Sequence, residues 1–330
     1  MRTPVAFLIF NRPDVTASVF AEIARARPPK LLVVADGPRA DRPGEREACA
    51  AARAVVGRVD WDCEVLTNFA EANMGCRARV SSGITWVFEQ VEEAILLEDD
   101  CLPHPSFFPF CEELLARFRD DERVMAVSGD NFQLGRRRTP DSYYFSRYAH
   151  IWGWATWRRA WRHYDVGIER WAELRDSPWL RETLGDAEAA EYWGHVFDET
   201  YAGRVNTWDY QWLFAVWARG GVAALPEVNL VSNIGWGGGA THTSAATSNI
   251  SNLPAEAMRY PLRHPRGVGP HAEADRFTFE RAFMWDGQVP TLYQRFHRQL
   301  SRRLPPPAFR FLSRARAALT GREKGADNFS

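Results

Sequence analysis

The chain has 330 residues, of which 45% are hydrophobic and 25% charged, with a formal net charge of −1. That length makes one large domain or two with ample core, and the balanced charge excludes a general affinity for nucleic acid. Five cysteines without a Cys-x-x-Cys spacing argue against a disulfide framework or structural zinc and predict a reduced, cytoplasmic setting.

Pro4–Phe10 reads as a strand, running straight from Met1-Arg-Thr with no signal-peptide pattern, and it ends in Asn11-Arg12-Pro13-Asp14. Asp14 is placed to cap a helix from about Val15 to Ala26, which Pro28 and Pro29 stop. Lys30–Ala35 is a second strand, ending at Asp36-Gly37. An Arg-rich loop then leads to a helix over Glu45–Val56. Cys63–Leu66 is a third strand, followed by the turn Asn73-Met74-Gly75 and a helix from about Arg77 to Gln90. Strand and helix alternating at this spacing predict an α/β fold with a mostly parallel central sheet flanked by helices.

The next strand is the informative one. Ala94–Leu97 is wholly apolar and runs directly into Glu98, Asp99 and Asp100. A run this apolar reads as a central strand buried on both faces. In open α/β sheets the ligand crevice lies beyond the carboxyl ends of the strands, where these three acids fall. Either they form a solvated turn before Pro103 and Pro105, or a divalent cation relieves their repulsion, and hard oxygen ligands suit Mn²⁺ or Mg²⁺. Cys101 beside them is expected to be a small buried residue and no ligand.

Phe107–Arg119 is an amphipathic helix and Val124–Ser128 a strand ending in Gly129-Asp130-Asn131. The Trp-dense run from Tyr143 to Trp161 reads as helical from Ala155 onward. Gly153, between two tryptophans, reads as a turn where backbone approaches a ligand. Thr207–Trp212 opens a helix through Trp217, and Val228–Ile234 reads as a strand. The glycine-rich stretch Gly235–Gly239 comes after it as a loop of the kind that covers crevices. Asp209 sits among Trp208, Tyr210 and Trp212: it is either a helix cap or a carboxylate whose affinity for a proton is raised by desolvation, as a base needs. Between Arg295 and Lys324 nine basic residues and one acid interleave with Leu300, Leu304, Phe309, Phe311 and Leu312. This tail either lies peripherally on an anionic membrane surface or packs as a charged tail. No stretch approaches the roughly twenty apolar residues of a spanning helix.

Five segments taken in order (LLEDD, PSFFPFCEELL, VMAVSGDN, YAHIWGWATWRRAW, TWDYQW) resemble the N-acetylglucosaminyltransferase I family and related bacterial glycosyltransferases of the GT-A fold, sometimes described as hemolytic-protein-like. The resemblance covers roughly Pro4 to His242. It implies a catalytic domain over about 1–250, with a nucleotide half at 1–105 and an acceptor half at 106–250, and a C-terminal extension over 251–330. It further implies a metal-dependent inverting transfer of sugar from a nucleotide-diphosphate donor, with UDP expected, to a glycan or lipid-linked acceptor in surface polysaccharide synthesis. By resemblance Asp100 ligates Mn²⁺ (or Mg²⁺), Asp99 contacts the ribose, and Glu98 shapes the sugar and acceptor site. Arg12 lies near the nucleotide, Asp36 near the uracil ring, and Arg77 near the diphosphate. His242 matches a Ser-His that follows a glycine-bearing loop. Asp209 matches the catalytic base of a W-D-D-W context, although Tyr210 replaces the second aspartate. That departure keeps open an alternative: an impaired sugar-nucleotide-binding or scaffold protein on the same fold. A nucleotidyltransferase would need a Gly-rich basic loop after the first strand, which FNRPD is not.

Overall fold

A computed structural model describes residues 1–235, 250 and 252–284. The Trp236–Gly239 portion of the glycine-rich loop, His242 and the basic tail lie outside these residues. In chain order the elements are β1 (Val5–Ile9), α1 (Pro13–Ala26), β2 (Lys30–Ala35), α2 (Glu45–Val55), β3 (Glu64–Phe69), α3 (Cys76–Gln90) and β4 (Glu93–Glu98). Then come β5 (Cys101–Pro103), α4 (Phe107–Arg117), β6 (Val124–Ser128), β7 (Tyr143–Ser146) and β8 (Trp154–Trp157). Four helices come next: α5 (Arg158–Trp161), α6 (Trp171–Leu174), α7 (Trp179–Leu184) and α8 (Ala187–Tyr201). The rest are α9 (Asp209–Ala218), β9 (Val222–Pro226), β10 (Val231–Asn233) and α10 (Ala272–Thr278).

The main sheet has eight strands in the order β3-β2-β1-β4-β8-β6-β9-β7. The first four are parallel, as the alternation of strand and helix predicts. β8 is antiparallel to both β4 and β6, so β6 and its parallel neighbour β9 point the same way as β4. β7 closes the sheet antiparallel to β9. The carboxyl ends of β1, β2, β4 and β6 therefore share one edge.

Period-two alternation divides the core. Phe7, Val33 and Leu97 face a layer built with α1, α2 and α4, whereas Leu8, Val34 and Leu96 face a layer built with α3, α8 and α9. Each of these central side chains is at most 6% exposed, so truncating Leu96 or Leu97 to Ala would cost about 2–5 kcal/mol. Among the described residues no helix is long and apolar enough to cross a membrane.

Several expectations need correction. Asp14 makes no capping hydrogen bond. The helix starts at Pro13, whose fixed φ suits a first turn, and the preceding Arg12 carbonyl accepts from Thr16 N at 2.9 Å. The helix expected from Ala155 onward begins only at Arg158; residues 154–157 form a strand, because β8 fills the slot between β4 and β6 and the backbone pairing there outweighs the helical spacing of the tryptophans. Within Val228–Ile234 only Val231–Asn233 is strand; it pairs with β5, outside the main sheet. Gly153 is a turn at φ +65°, but the space its side chain would fill belongs to Val231, 2.7 Å from an ideal Cβ. Core packing, with no ligand involved, accounts for that glycine.

Candidate active site

The acids leave β4 at the shared edge, and Arg12 leaves β1 beside them. The Arg12 guanidinium bridges two of them: Nη2 donates to Asp99 Oδ1 and, at 2.8 Å, to Asp100 Oδ2. Phe10 N–H donates to Asp99 Oδ2 at 3.1 Å. Both carboxylates are thus turned toward the end of β1. Burial opposes the charge on Arg12, yet the two aspartates together raise its pKa above the ordinary guanidinium value. Asp99 is 4% exposed, and that burial pushes it up to about 6 against the opposing pull of Arg12. Glu98 goes further, to about 8, driven by burial and then by the charges of Asp100, Asp99 and Asp209.

Asp36, at the end of β2, serves two loops. Its Oδ1 accepts from Gly37 N at 2.8 Å and Met74 N at 2.9 Å, and its Oδ2 from Asn73 Nδ2 at 2.9 Å and Gly75 N at 3.2 Å. The carboxylate is fully engaged in holding the turn that starts α3. Arg79, one turn into α3, is buried and bonds the Ala35 carbonyl at 3.1 Å and Asn68 Oδ1 at 2.9 Å, so it is a structural tie. Arg77 donates to the Val205 carbonyl at 3.4 Å, which draws the loop before α9 over the start of α3.

That loop delivers Asp209. Trp208 stacks on Trp154 of β8 with ring centroids 5.8 Å apart at 24°, and Trp212 lies 5.5 Å from Trp154 and 5.3 Å from Trp161. This aromatic packing fixes the first turn of α9 against the sheet. Thr207 Oγ1 donates to Asp209 Oδ1. Asp209 is half-buried and is the first residue of its helix.

Cys76, which sequence spacing does not single out, marks where these pieces meet. Burial raises its thiol pKa far above the ordinary value, and the charges of Glu98, Asp209 and Asp36 push the same way. The charges of three acids remote in sequence thus all act on this one thiol. Tyr164 joins them, its hydroxyl raised first by burial and then by Asp209. Of the residues expected at the site, Arg12, Asp99 and Asp100 are in direct contact just after Glu98, Asp36 and Arg77 are engaged by the turn before α3 and by the Val205 carbonyl, Asp209 is bonded by Thr207, and His242 lies outside the described residues.

Among the described residues no three His, Cys, Asp or Glu side chains converge as a closed metal cage requires. The donor set fits instead an ion held by one or two carboxylates, with water and substrate phosphate completing its shell, which is how Mg²⁺ and Mn²⁺ usually bind. Asp100 suits this. Its side chain is 17% exposed, and among the described residues Oδ1 has only the Cys101 thiol, at 3.6 Å. Cys101 itself is buried, with its pKa pushed up by that burial. Gly235 lies directly over the acids: an added Cβ would stand 2.1 Å from Asp100 Oδ2 and 2.7 Å from Arg12 Nη1.

No protein-family model matches this sequence, and no curated protein matches it. Among solved structures it is similar to 4-diphosphocytidyl-2C-methyl-D-erythritol synthase from Anaerococcus prevotii, at 9% identity and TM-score 0.31, over 52% of this chain and 77% of that one. Mouse xyloside xylosyltransferase 1 is similar at 13% identity and TM-score 0.30, over 65% of this chain and 81% of that one. A UDP-glucose pyrophosphorylase complexed with UDP-glucose is similar at 10% identity and TM-score 0.24, over 46% and 64%. At these scores the likenesses are loose, and any functional reading rests on the chain's own residues.

Proposed function

We propose that the chain is an inverting glycosyltransferase that uses a nucleotide-diphosphate sugar, with UDP as the nucleotide and a hydroxyl of a glycan or lipid-linked glycan as acceptor. The observation that carries this reading is the Arg12-bridged pair Asp99–Asp100, which follows Glu98 at the carboxyl end of β4 on the shared edge of the sheet. Transfer of a sugar from such a donor builds positive charge at the anomeric carbon and negative charge on the departing diphosphate. It also requires a group to take the acceptor's proton.

Each part has a residue suited to it. Asp36 holds the turn of residues 73–75 as a rigid floor for the base. Arg12 holds Asp99 toward the ribose and keeps Asp100 at the mouth of the crevice. Bound Mn²⁺ or Mg²⁺, held by Asp100, would act as a Lewis acid on the diphosphate leaving group. Asp209, oriented by Thr207, takes the proton from the attacking hydroxyl at a carboxylate oxygen. Glu98 stands between donor and base, where its raised pKa favours a protonated carboxyl that can donate to a sugar hydroxyl. The basic tail would bring the enzyme to the cytoplasmic face of a membrane carrying a lipid-linked acceptor.

Calorimetry with UDP-sugars, with and without Mn²⁺, tests this. The wild type is expected to bind only in the presence of the ion, and Asp100→Ala to lose that binding while melting normally. Metal-dependent binding left intact in Asp100→Ala would overturn the assignment of the acids.

A further inference from the structure

A second polar point lies on the same edge of the sheet. Asp130 leaves β6 two residues past its end, and His150 enters β8 from that side, so both stand at the edge where β4 releases its acids. Their backbones are held firmly. Gly129 N–H donates to the Gly153 carbonyl at 2.7 Å, Asn131 N–H to Asn229 Oδ1 at 2.9 Å, and Ser128 Oγ to the His150 carbonyl at 2.8 Å.

The side chains are less well served. Asp130 is 1% exposed and His150 5%, and Nδ1 of the imidazole lies 3.5 Å from Asp130 Oδ2. Neither carboxylate oxygen and neither ring nitrogen makes a hydrogen bond of ordinary geometry among the described residues. Four buried polar atoms left so in one place are uncommon, because burial without a partner is costly. Asp130 is close enough to Cys101 for its charge to act on that thiol, and Cys101 reaches Asp100 Oδ1. The pair therefore flanks the acids on the acceptor half.

The chemistry of the four atoms selects the ligand. A phosphate would find no cation here, since burial raises the Asp130 carboxyl well above its ordinary value and holds the His150 ring far below the ordinary imidazole value. A metal ion would find no third ligand among the described residues. A hydroxyl can donate to the Asp130 carboxylate and accept from an imidazole N–H through a single oxygen. Phe132 stacks on the His150 ring at 4.3 Å and 23°, and Trp152 meets Phe132 edge-on at 5.0 Å. Aromatic walls of this kind suit the C–H face of a sugar ring.

We propose that Asp130 and His150 form a binding point for one hydroxyl of a sugar, walled by Phe132 and Trp152 and separate from the nucleotide contacts. It rests on the nucleotide-sugar reading only for whether that sugar belongs to donor or acceptor. The test is NMR of ¹⁵N-labelled histidine in the full chain, with the His150 ring signals assigned by their loss in His150→Gln. Methyl glycosides of glucose, galactose and N-acetylglucosamine, UDP, and the matching UDP-sugars are titrated in turn.

Movement of the His150 signals by a methyl glycoside and not by UDP supports the site and assigns it to the acceptor. Movement by a UDP-sugar alone supports it and assigns it to the donor sugar. Asp130→Asn, which keeps the shape of the side chain, should weaken either response by about tenfold, the scale of one hydrogen bond. If neither sugar class moves the signals in protein that melts cooperatively, the pair holds no sugar and the proposal falls. Calorimetry run alongside keeps the two readings apart. Should no uridine nucleotide bind, the donor reading fails, and the glycoside titration still decides this site.

Discussion

The Arg12 bridge makes a prediction that can be worked through in energy and in pH. Replacing Arg12 by Met keeps much of the apolar stem and removes the cation that, among the described residues, touches both Asp99 and Asp100. At contact distance and an effective dielectric near 20, each such attraction is worth about 4 kcal/mol before desolvation. Breaking a buried pair by deleting one partner costs about 3–5 kcal/mol. Arg12 is 22% exposed and Asp100 17%, so solvent reduces this to about 2–4 kcal/mol. The cost depends on pH. Asp99 stands at about 6 in the fold with Arg12 in place, above its value of about 3.9 when unfolded. A carboxyl with a raised pKa keeps its proton longer in the native state, so stability falls as pH climbs from the unfolded value through the folded one. Without Arg12 the folded value rises further and that window extends above pH 6. The deficit of Arg12→Met should therefore be smaller at pH 5, where the pair with Asp100 still counts, than at pH 8. Urea unfolding of both proteins at the two values measures it, and adding Asp99→Asn to the variant should recover most of the loss. A deficit of equal size at pH 5 and pH 8 would refute the electrostatic account of the bridge.

Gly235→Ala should preserve the fold and lower Mn²⁺-dependent UDP-sugar affinity by about tenfold or more, since the new methyl would enter the space of Asp100 and Arg12; unchanged affinity in calorimetry would show that the backbone there moves aside freely. Asp36→Ala should cost about 2–4 kcal/mol of stability in chemical unfolding, because it strands Met74 N, Gly75 N and Asn73 Nδ2. A loss of nucleotide affinity with full stability would instead make Asp36 a direct ligand. Asp209→Asn should leave donor binding intact and lower turnover by about 10²–10⁴-fold, as loss of a general base does. Full activity in a transfer assay would reduce Asp209 to a helix cap.

What the sequence discloses about the fold depends on which forces are local. β1, β2 and β4 are legible because each is a short apolar run between turn residues, buried on both faces. β8 is illegible for the opposite reason. Its four residues carry a helical spacing of tryptophans, and only the slot between β4 and β6 makes them a strand. β7 and β9 are equally dependent on partners far along the chain, Tyr143 pairing with Pro226 and Ser146 with Ala223. Trp193 of α8 likewise depends on distant partners, packing against Tyr148 and Trp217 as well as Phe197 of its own helix.

The site divides in the same way, and Asp209 with Tyr210 decides how its one irregularity should be judged. The three acids announce themselves, since like charges at the end of an apolar strand need an explanation. The bridge from Arg12 to Asp99 and Asp100 has no signal in spacing because it arises from strand order, which sets β1 beside β4. Tyr210, where the resembled family carries a second aspartate, is the residue that suggests a disabled enzyme. In the fold Tyr210 turns to Trp193, edge-on with centroids 5.8 Å apart, and burial pushes its phenol far above the ordinary value. A carboxylate there would be buried against an indole, which is costly for a charge without a partner. A tyrosine fills that position at no such cost, and Asp209 beside it keeps its hydrogen bond from Thr207. Core packing thus accounts for the departure from the W-D-D-W pattern without any loss of activity, and turnover in Asp209→Asn is what separates enzyme from scaffold.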